Sequence, residues 1–265
     1  DPRQAVSVAN QNVTRKYDVV IGHFCSGTSI AALDVYSESG VLMISPASVV
    51  SALTEKGHTT VFRTVGRDDQ QGQVLANAIV SRRLGSNLAI IHDKSTYGKG
   101  LADQVKRYVN AAGVTEKVYD SISSGAKAFS ALLARLRQQN IGAVVFGGYH
   151  PEMGLMLRQS REAGFKAVFL GGDAMKTAEL ATIAGAASDG LLFSFFPDPK
   201  NNPEAKPAVD RLRAAGFEPE GFTLYAYAAL EVYAAAATMA KSPQTKSVAD
   251  ALRNKGPYQT VIGPI

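Results

Sequence analysis

The chain has 265 residues, 46% hydrophobic and 19% charged, a composition that buries a core and lies far from the disordered classes. Its apolar runs, such as Ala143–Phe146, fall well short of the ~18 residues of a membrane-spanning helix. The net charge of +5 sits on Lys and Arg dispersed along helical stretches beside acids and amides, so no basic, aromatic-laced face for nucleic acid emerges.

Short β-branched runs alternate with amphipathic stretches of helical length. In chain order the predicted strands are Tyr17–Ile21, Val41–Ser45, Val61–Val65, Asn87–Ile91, Val114–Asp120, Ala143–Gly147, Ala167–Leu170 and Gly190–Phe195. The predicted helices are Arg3–Val13, Ser29–Ser39, Gln70–Leu84, Gly100–Ala112, Ala128–Gln139, Glu152–Ala163, Thr177–Gly185, Pro203–Ala215, Thr223–Met239 and Thr245–Asn254. Gly113, Gly164 and Gly216 follow helical stretches as left-handed terminators, and Asn140 looks similar. Strand–helix–strand repetition with nearly continuous apolar strands predicts an α/β chain with parallel sheets covered on both faces. Polar breaks at Gly66–Asp69 and at the Pro/Asn-rich Phe196–Pro203 divide it into lobe 1, residues 1–67 plus 197–265, and lobe 2, residues 68–196. Two crossings between two doubly wound lobes make a hinge.

Motifs for nucleotide or hydrolytic chemistry are missing: there is no G-x-G-x-x-G after a strand, no Walker A loop and no G-x-S-x-G elbow. The four histidines, His23, His58, His92 and His150, lack the short spacings of a metal site. Cys25 is the single cysteine, read as a small buried hydrophobe or as half of a pair whose partner lies outside the chain. What remains is a row of polar turns at strand ends, where open α/β sheets bind ligands. Gly22–Ser29 is a hydroxyl-rich turn opening a helix, whose free N–H groups suit a carboxylate. Ser45–Val49, Asp93–Gly98, Gly147–Glu152 and Gly171–Ala174 add hydroxyls, two tyrosines and a carboxylate. Anion-binding amides on one lobe and aromatics with a carboxylate on the other match a zwitterion.

At these residues the chain resembles the type I periplasmic binding proteins for leucine, isoleucine and valine, the receptors of branched-chain amino-acid ABC importers. The resemblance is carried by DPRQAVSVAN, VIGHFCSGTSIAALDVY, GVLMISPASVVSALT, AIIHDKSTYGKGLA, SGAKAFSALLARLRQQNI, GGYHPEMGLMLRQSREAGF and YQTVIGPI, in order along the whole chain. It implies a non-enzymatic, cofactor-free and metal-free periplasmic receptor, secreted or lipid-anchored. Such a receptor is monomeric and closes its hinge around a free amino acid for ABC permease subunits in the membrane. The alternative use of the same fold is a sensing domain for an amino acid or small amide.

The resemblance also assigns residues. Ser26 would bind the ligand carboxylate through hydroxyl and N–H. Ser48 would offer a carbonyl to the ammonium, and Val49 an amide where the family has a threonine. A missing hydroxyl there removes a charge-assisted bond worth roughly 1.5–3 kcal/mol unless a neighbour such as Ser48 replaces it. Tyr97 would line the pocket, Tyr149 would close over the ligand, and Asp173 would hold the ammonium where a glutamate is usual. Phe222 matches an apolar wall residue better explained by core packing.

Finally, the resemblance reads the ends as cut: signal peptide, first strand, first helix and second strand are absent, together with a half-cystine that would pair with Cys25. On that reading the isolated 265-residue chain exposes two unpaired strand edges and folds poorly or aggregates. A cooperative unfolding transition with monomeric sedimentation would count against it.

Overall fold

The computed structural model describes residues 1–265, with ten α-helices and ten strands. They fall into two compact units, Asp1–Gly66 with Pro197–Ile265, and Arg67–Phe196.

The first unit begins with α1 (Pro2–Thr14), capped by the Asp1 side chain, which accepts from Arg3 N at 2.7 Å; a proline stands in the first turn, where its missing N–H costs nothing. β1 (Val19–Ile21), α2 (Ser26–Glu38), β2 (Leu42–Ser45) and β3 (Val61–Arg63) follow, and the three strands form a parallel sheet in the order β1-β2-β3. Successive side chains of a strand point to opposite faces, so one sheet feeds two cores. Met43 and the flanking Val41 pack with Ala9, Leu33 and Tyr36 of α1 and α2, while Leu42 and Ile44 join a separate cluster on the other side.

The second unit runs α3 (Asp68–Ser81), β4 (Leu88–His92), α4 (Thr96–Ala111), β5 (Val118–Ser121), α5 (Ser130–Gln138), β6 (Ala143–Gly147), α6 (His150–Glu162), β7 (Val168–Gly171), α7 (Ala178–Ala184) and β8 (Leu192–Phe193). Its sheet is wholly parallel in the order β5-β4-β6-β7-β8. β4 and β6 are buried along their entire length, as central strands covered on both faces must be. Leu133, Leu136, Met153, Met156 and Leu157 of α5 and α6 cover one face with Ala89, Ile91, Val144 and Phe146. α4 lies against β4 and β6, and its Leu101, Val105 and Val109 are fully buried. Left-handed Gly164 (φ 67°) and Asn140 (φ 54°) stop α6 and α5 at the predicted places.

The chain then returns to the first unit with α8 (Lys206–Ala214), α9 (Thr223–Ala240), α10 (Thr245–Asn254) and a short antiparallel hairpin, β9 (Gln259–Thr260) and β10 (Gly263–Pro264). Ala229, Val232 and Ala236 of α9 and Val248, Ala249 and Ala251 of α10 cover the Leu42/Ile44 face of its sheet.

Helices at the strand ends start earlier than their apolar periodicity suggests: α2 at Ser26 rather than Ser29, α4 at Thr96 rather than Gly100, α6 at His150 rather than Glu152. First-turn N–H groups have no intrahelical partner, so polar residues gather there and the apolar repeat begins a turn late.

Two glycines set the spacing between α4 and β6. A Cβ on Gly147 would stand 2.0 Å from Gly98 O, and one on Gly98 2.3 Å from Gly147 O, so neither backbone can retreat without moving a helix off the sheet. Gly147→Ala is expected to cost about 3 kcal/mol in urea unfolding, whereas Gly142→Ala, with nothing within 4 Å, should fall within about 0.5 kcal/mol of wild type.

Candidate ligand-binding site

In the second unit the chain leaves β4 toward β5 on one side and β6 toward β7 on the other, placing the topological switch point between β4 and β6. Beyond the carboxyl end of β4, Asp93 Oδ1 accepts from Ser95 N (2.9 Å) and Ser95 Oγ (2.6 Å), and Ser95 Oγ in turn caps α4 by accepting from Gly98 N at 2.9 Å. This rigid entry places Tyr97 in the first turn of α4. The Tyr97 hydroxyl donates to Asp173 Oδ1 at 2.9 Å and accepts from Ala174 N at 3.2 Å. Tyr149 precedes α6, beyond the carboxyl end of β6, its ring centroid 5.0 Å from that of Tyr97. Asp173 opens a single turn after β7 and is 3% exposed. Tyr97, Tyr149 and Asp173 therefore form one cluster at the carboxyl edge of the sheet.

Two residues that the sequence did not single out complete it. Gln71 Nε2 donates to Asp173 Oδ1 at 2.8 Å, and Gln71 Oε1 accepts from Asp173 N (3.0 Å) and Ser194 Oγ (2.8 Å). Burial pushes the Asp173 carboxyl up to about 6, against the pull of the Gln71 and Tyr97 hydrogen bonds and with a further push from Asp68. Burial, and then the Asp173 charge, raise the Tyr97 hydroxyl well above its ordinary value, so it remains a donor. Gln71 was legible in one respect. It shares the buried helical stripe of Asp68, Gly72, Leu75, Ala76 and Ile79, and an amide on such a stripe needs partners.

In the first unit Ser26 is the first residue of α2 and 2% exposed; its Oγ accepts from Val50 N at 3.4 Å. Ser48 is fully buried, with its Oγ 3.1 Å from His23 O, 3.0 Å from Phe24 O and 2.6 Å from Ser29 Oγ. Ser29 Oγ (3.2 Å) and Ser45 Oγ (2.8 Å) also reach His23 O. The Ser48 hydroxyl is thus engaged within this turn, next to the fully buried Val49. The Ser48 carbonyl accepts from Arg63 Nη1 at 3.2 Å. Arg63, another residue the sequence reading passed over, also donates through Nη2 to Val50 O (3.0 Å), Ser51 O (3.2 Å) and Thr54 Oγ1 (2.7 Å), fixing the whole loop. Phe222 is half-buried and packs edge-on against Phe24 at 5.3 Å, with Phe24 57% exposed.

The histidines take separate roles: His23 stacks on Tyr36, His58 meets Asp34 and Ser37, and His150 meets Glu179. No group of three or more His, Cys, Asp or Glu side chains is placed to hold a metal, and no helix is long and apolar enough to cross a membrane.

Parallel α/β units with hydroxyls, helix N-termini and a buried carboxylate gathered at strand ends define a solute-binding protein of the kind that takes up small polar molecules. The family model for periplasmic binding proteins matches residues 1–265, and the chain belongs to that family. A Leu/Ile/Val-binding protein homolog 1 of Brucella suis biovar 1 is 47% identical over 265 residues, covering 100% of this chain and 71% of the relative. An amino acid binding protein of Pseudomonas aeruginosa is 44% identical over 99% of this chain and 71% of its own. Among solved structures, the leucine binding protein LivK of Thermotoga maritima superposes with a TM-score of 0.91 at 29% identity, covering 100% of this chain and 77% of that one. The branched-chain amino acid transporter substrate binding protein LivJ of Streptococcus pneumoniae, in complex with isoleucine, gives 0.87 at 26% identity, over 100% and 76%.

Asp173 leaves a thermodynamic signature in the ligand-free protein. Its folded carboxyl holds a proton up to about pH 6 and its unfolded one only to 3.8, so stability falls as pH rises through that window. About two units correspond to about 3 kcal/mol missing at pH 7. Asp173→Asn keeps the acceptor for Gln71 and Tyr97 without the charge. It should raise the urea midpoint of the ligand-free protein at pH 7, and the gain should vanish near pH 4.

Proposed function

We propose that the protein is an extracytoplasmic receptor that binds a free branched-chain amino acid, acts as a monomer and presents its ligand to ABC permease subunits in the membrane. The ligand leaves chemically unchanged, and neither metal nor cofactor takes part. The observation that carries this reading is Asp173: a carboxylate 3% exposed, whose hydrogen-bond donors are an amide and a phenol, neither of them cationic. Its electrostatic cost is relieved by a ligand bearing a positive charge, and an α-ammonium is such a group.

The opposite end of an amino acid needs donors without a fixed charge. Ser26 and the first-turn N–H groups of α2 supply them, with the helix dipole favouring the carboxylate. Val49 contributes its amide. Tyr97 lies beside Asp173 and Tyr149 packs on Tyr97, and the two rings give the ammonium an aromatic surround. Relatives named as Leu/Ile/Val-binding proteins, and the isoleucine complex of LivJ, favour an aliphatic side chain on the ligand.

Isothermal titration of the purified protein against the twenty amino acids tests the proposal. Leucine, isoleucine or valine should give the tightest binding, and Asp173→Ala or Ser26→Ala should each weaken it by about tenfold or more. Heat from no α-amino acid would sink the reading.

A further inference from the structure

A buried carboxylate on a short side chain has two nearly equivalent oxygens and a soft torsion, so something must decide which oxygen a ligand meets. In this protein the decision is made 102 residues earlier in the chain, by Gln71. Its amide can sit only one way round. Oε1 receives two donors, the Asp173 N–H and the Ser194 hydroxyl, and an inverted amide would turn its NH2 against that N–H. Nε2 is therefore fixed on Asp173 Oδ1. The Tyr97 hydroxyl, itself steadied by Ala174 N–H, donates to the same oxygen. Oδ1 is held by two donors, and neither engages Oδ2.

We propose that Gln71 is the positioning residue for the ligand's ammonium, turning the Asp173 carboxylate so that Oδ2 is the oxygen offered to the cation. This rests on the amino-acid reading above and adds a regulatory consequence. The polar groups bearing on Asp173 are Gln71 and Asp68 from α3 and Tyr97 from α4 with Tyr149 behind it, while Ser194 after β8 bears on Gln71. Asp68 is the one that brings a charge, and its sign is negative. Gln71 and Tyr97, and after them the backbone N–H of Asp173 itself, favour the ionised form against burial, and the balance leaves Asp173 titrating at about 6. A proton and an ammonium then compete for one carboxylate: capture is complete above that pH and weakens below it. Removing the Gln71 donor moves the competition upward.

Leucine is titrated calorimetrically into wild type, Gln71→Met and Gln71→Glu from pH 5 to 8. The 13C carboxyl signal of Asp173, assigned by its loss in D173N, is followed over the same range without ligand. Wild-type affinity should be level above the carboxyl midpoint and fall about tenfold per pH unit below it. Gln71→Met should bind about tenfold more weakly at pH 7.5, with both midpoints raised by about one unit. Gln71→Glu should raise them further, because two carboxylates then share one proton. Should either variant lose its thermal transition, Ser194→Ala, which frees the amide without altering α3, should shift the midpoints in the same direction by less. Leucine binding by wild type together with a folded Gln71→Met at the wild-type midpoint overturns this proposal alone. A uniform loss of affinity at every pH, with no change in midpoint, does the same by reducing Gln71 to a packing role. A wild type that binds no amino acid overturns the receptor reading and this proposal together, whatever the carboxyl titration shows.

Discussion

A carboxylate withdrawn from water without a cation beside it is among the costlier things a fold can contain, and the second unit is arranged around one. Asp173 reaches its position only because β7 ends where it does. Its side-chain partners come from α3 and α4, with Ser194 after β8 bracing Gln71, and none of these has a local sequence relation to it. The approach of α4 to β6 through Gly98 and Gly147 is what allows Tyr97, one residue before Gly98, to lie close enough to donate. Loosening the sheet–helix spacing would thus show itself first as a misplaced hydroxyl and only later as lost core contact.

The first unit solves a different problem. Its strand ends carry a surplus of small hydroxyls and no buried carboxylate like Asp173, and three serines converge on the His23 carbonyl. Ser45 Oγ also accepts from Ser48 N at 3.0 Å, so turn and loop are stitched together by side chains that never leave the interior. The N-terminus of α2 is thereby left well defined, with Ser26 at its first position. Neutral, directional donors mark the strand ends of the first unit and a desolvated carboxylate those of the second, each built by ordinary means.

The elements that determine the fold class were readable because their signals are local. Apolar, β-branched runs such as Ala143–Gly147 and Leu42–Ser45, too short for helices and bounded by turn residues, are buried throughout as covered parallel strands. Helix stops at Gly164 and Asn140 were equally plain. Helix starts were misplaced by two to four residues, since polar first turns hide from a hydrophobic repeat. At the strand ends Tyr97 and Asp173 were identifiable as polar groups, but the contact between them spans 76 residues and Ser194 lies 123 residues from Gln71. No periodicity encodes pairings of that kind. Ser48 illustrates the converse: its residue type suggested an available hydroxyl, and only the surrounding carbonyls reveal that the hydroxyl is already engaged.

The Arg63 clamp carries a consequence for how such a protein changes over time. Its guanidinium grips the loop after β2 through the carbonyls of Ser48, Val50 and Ser51, with one hydroxyl, that of Thr54, beside them. Every amino acid presents a carbonyl, so these three attachment points are indifferent to which side chain occupies them. The path of the loop is thus set by Arg63 through backbone groups, while packing, as at the fully buried Val49, limits which side chains it carries. Loop shape and side-chain identity are thereby written in different parts of the sequence, and a substitution that fits the packing around the loop can be accepted without rebuilding its path.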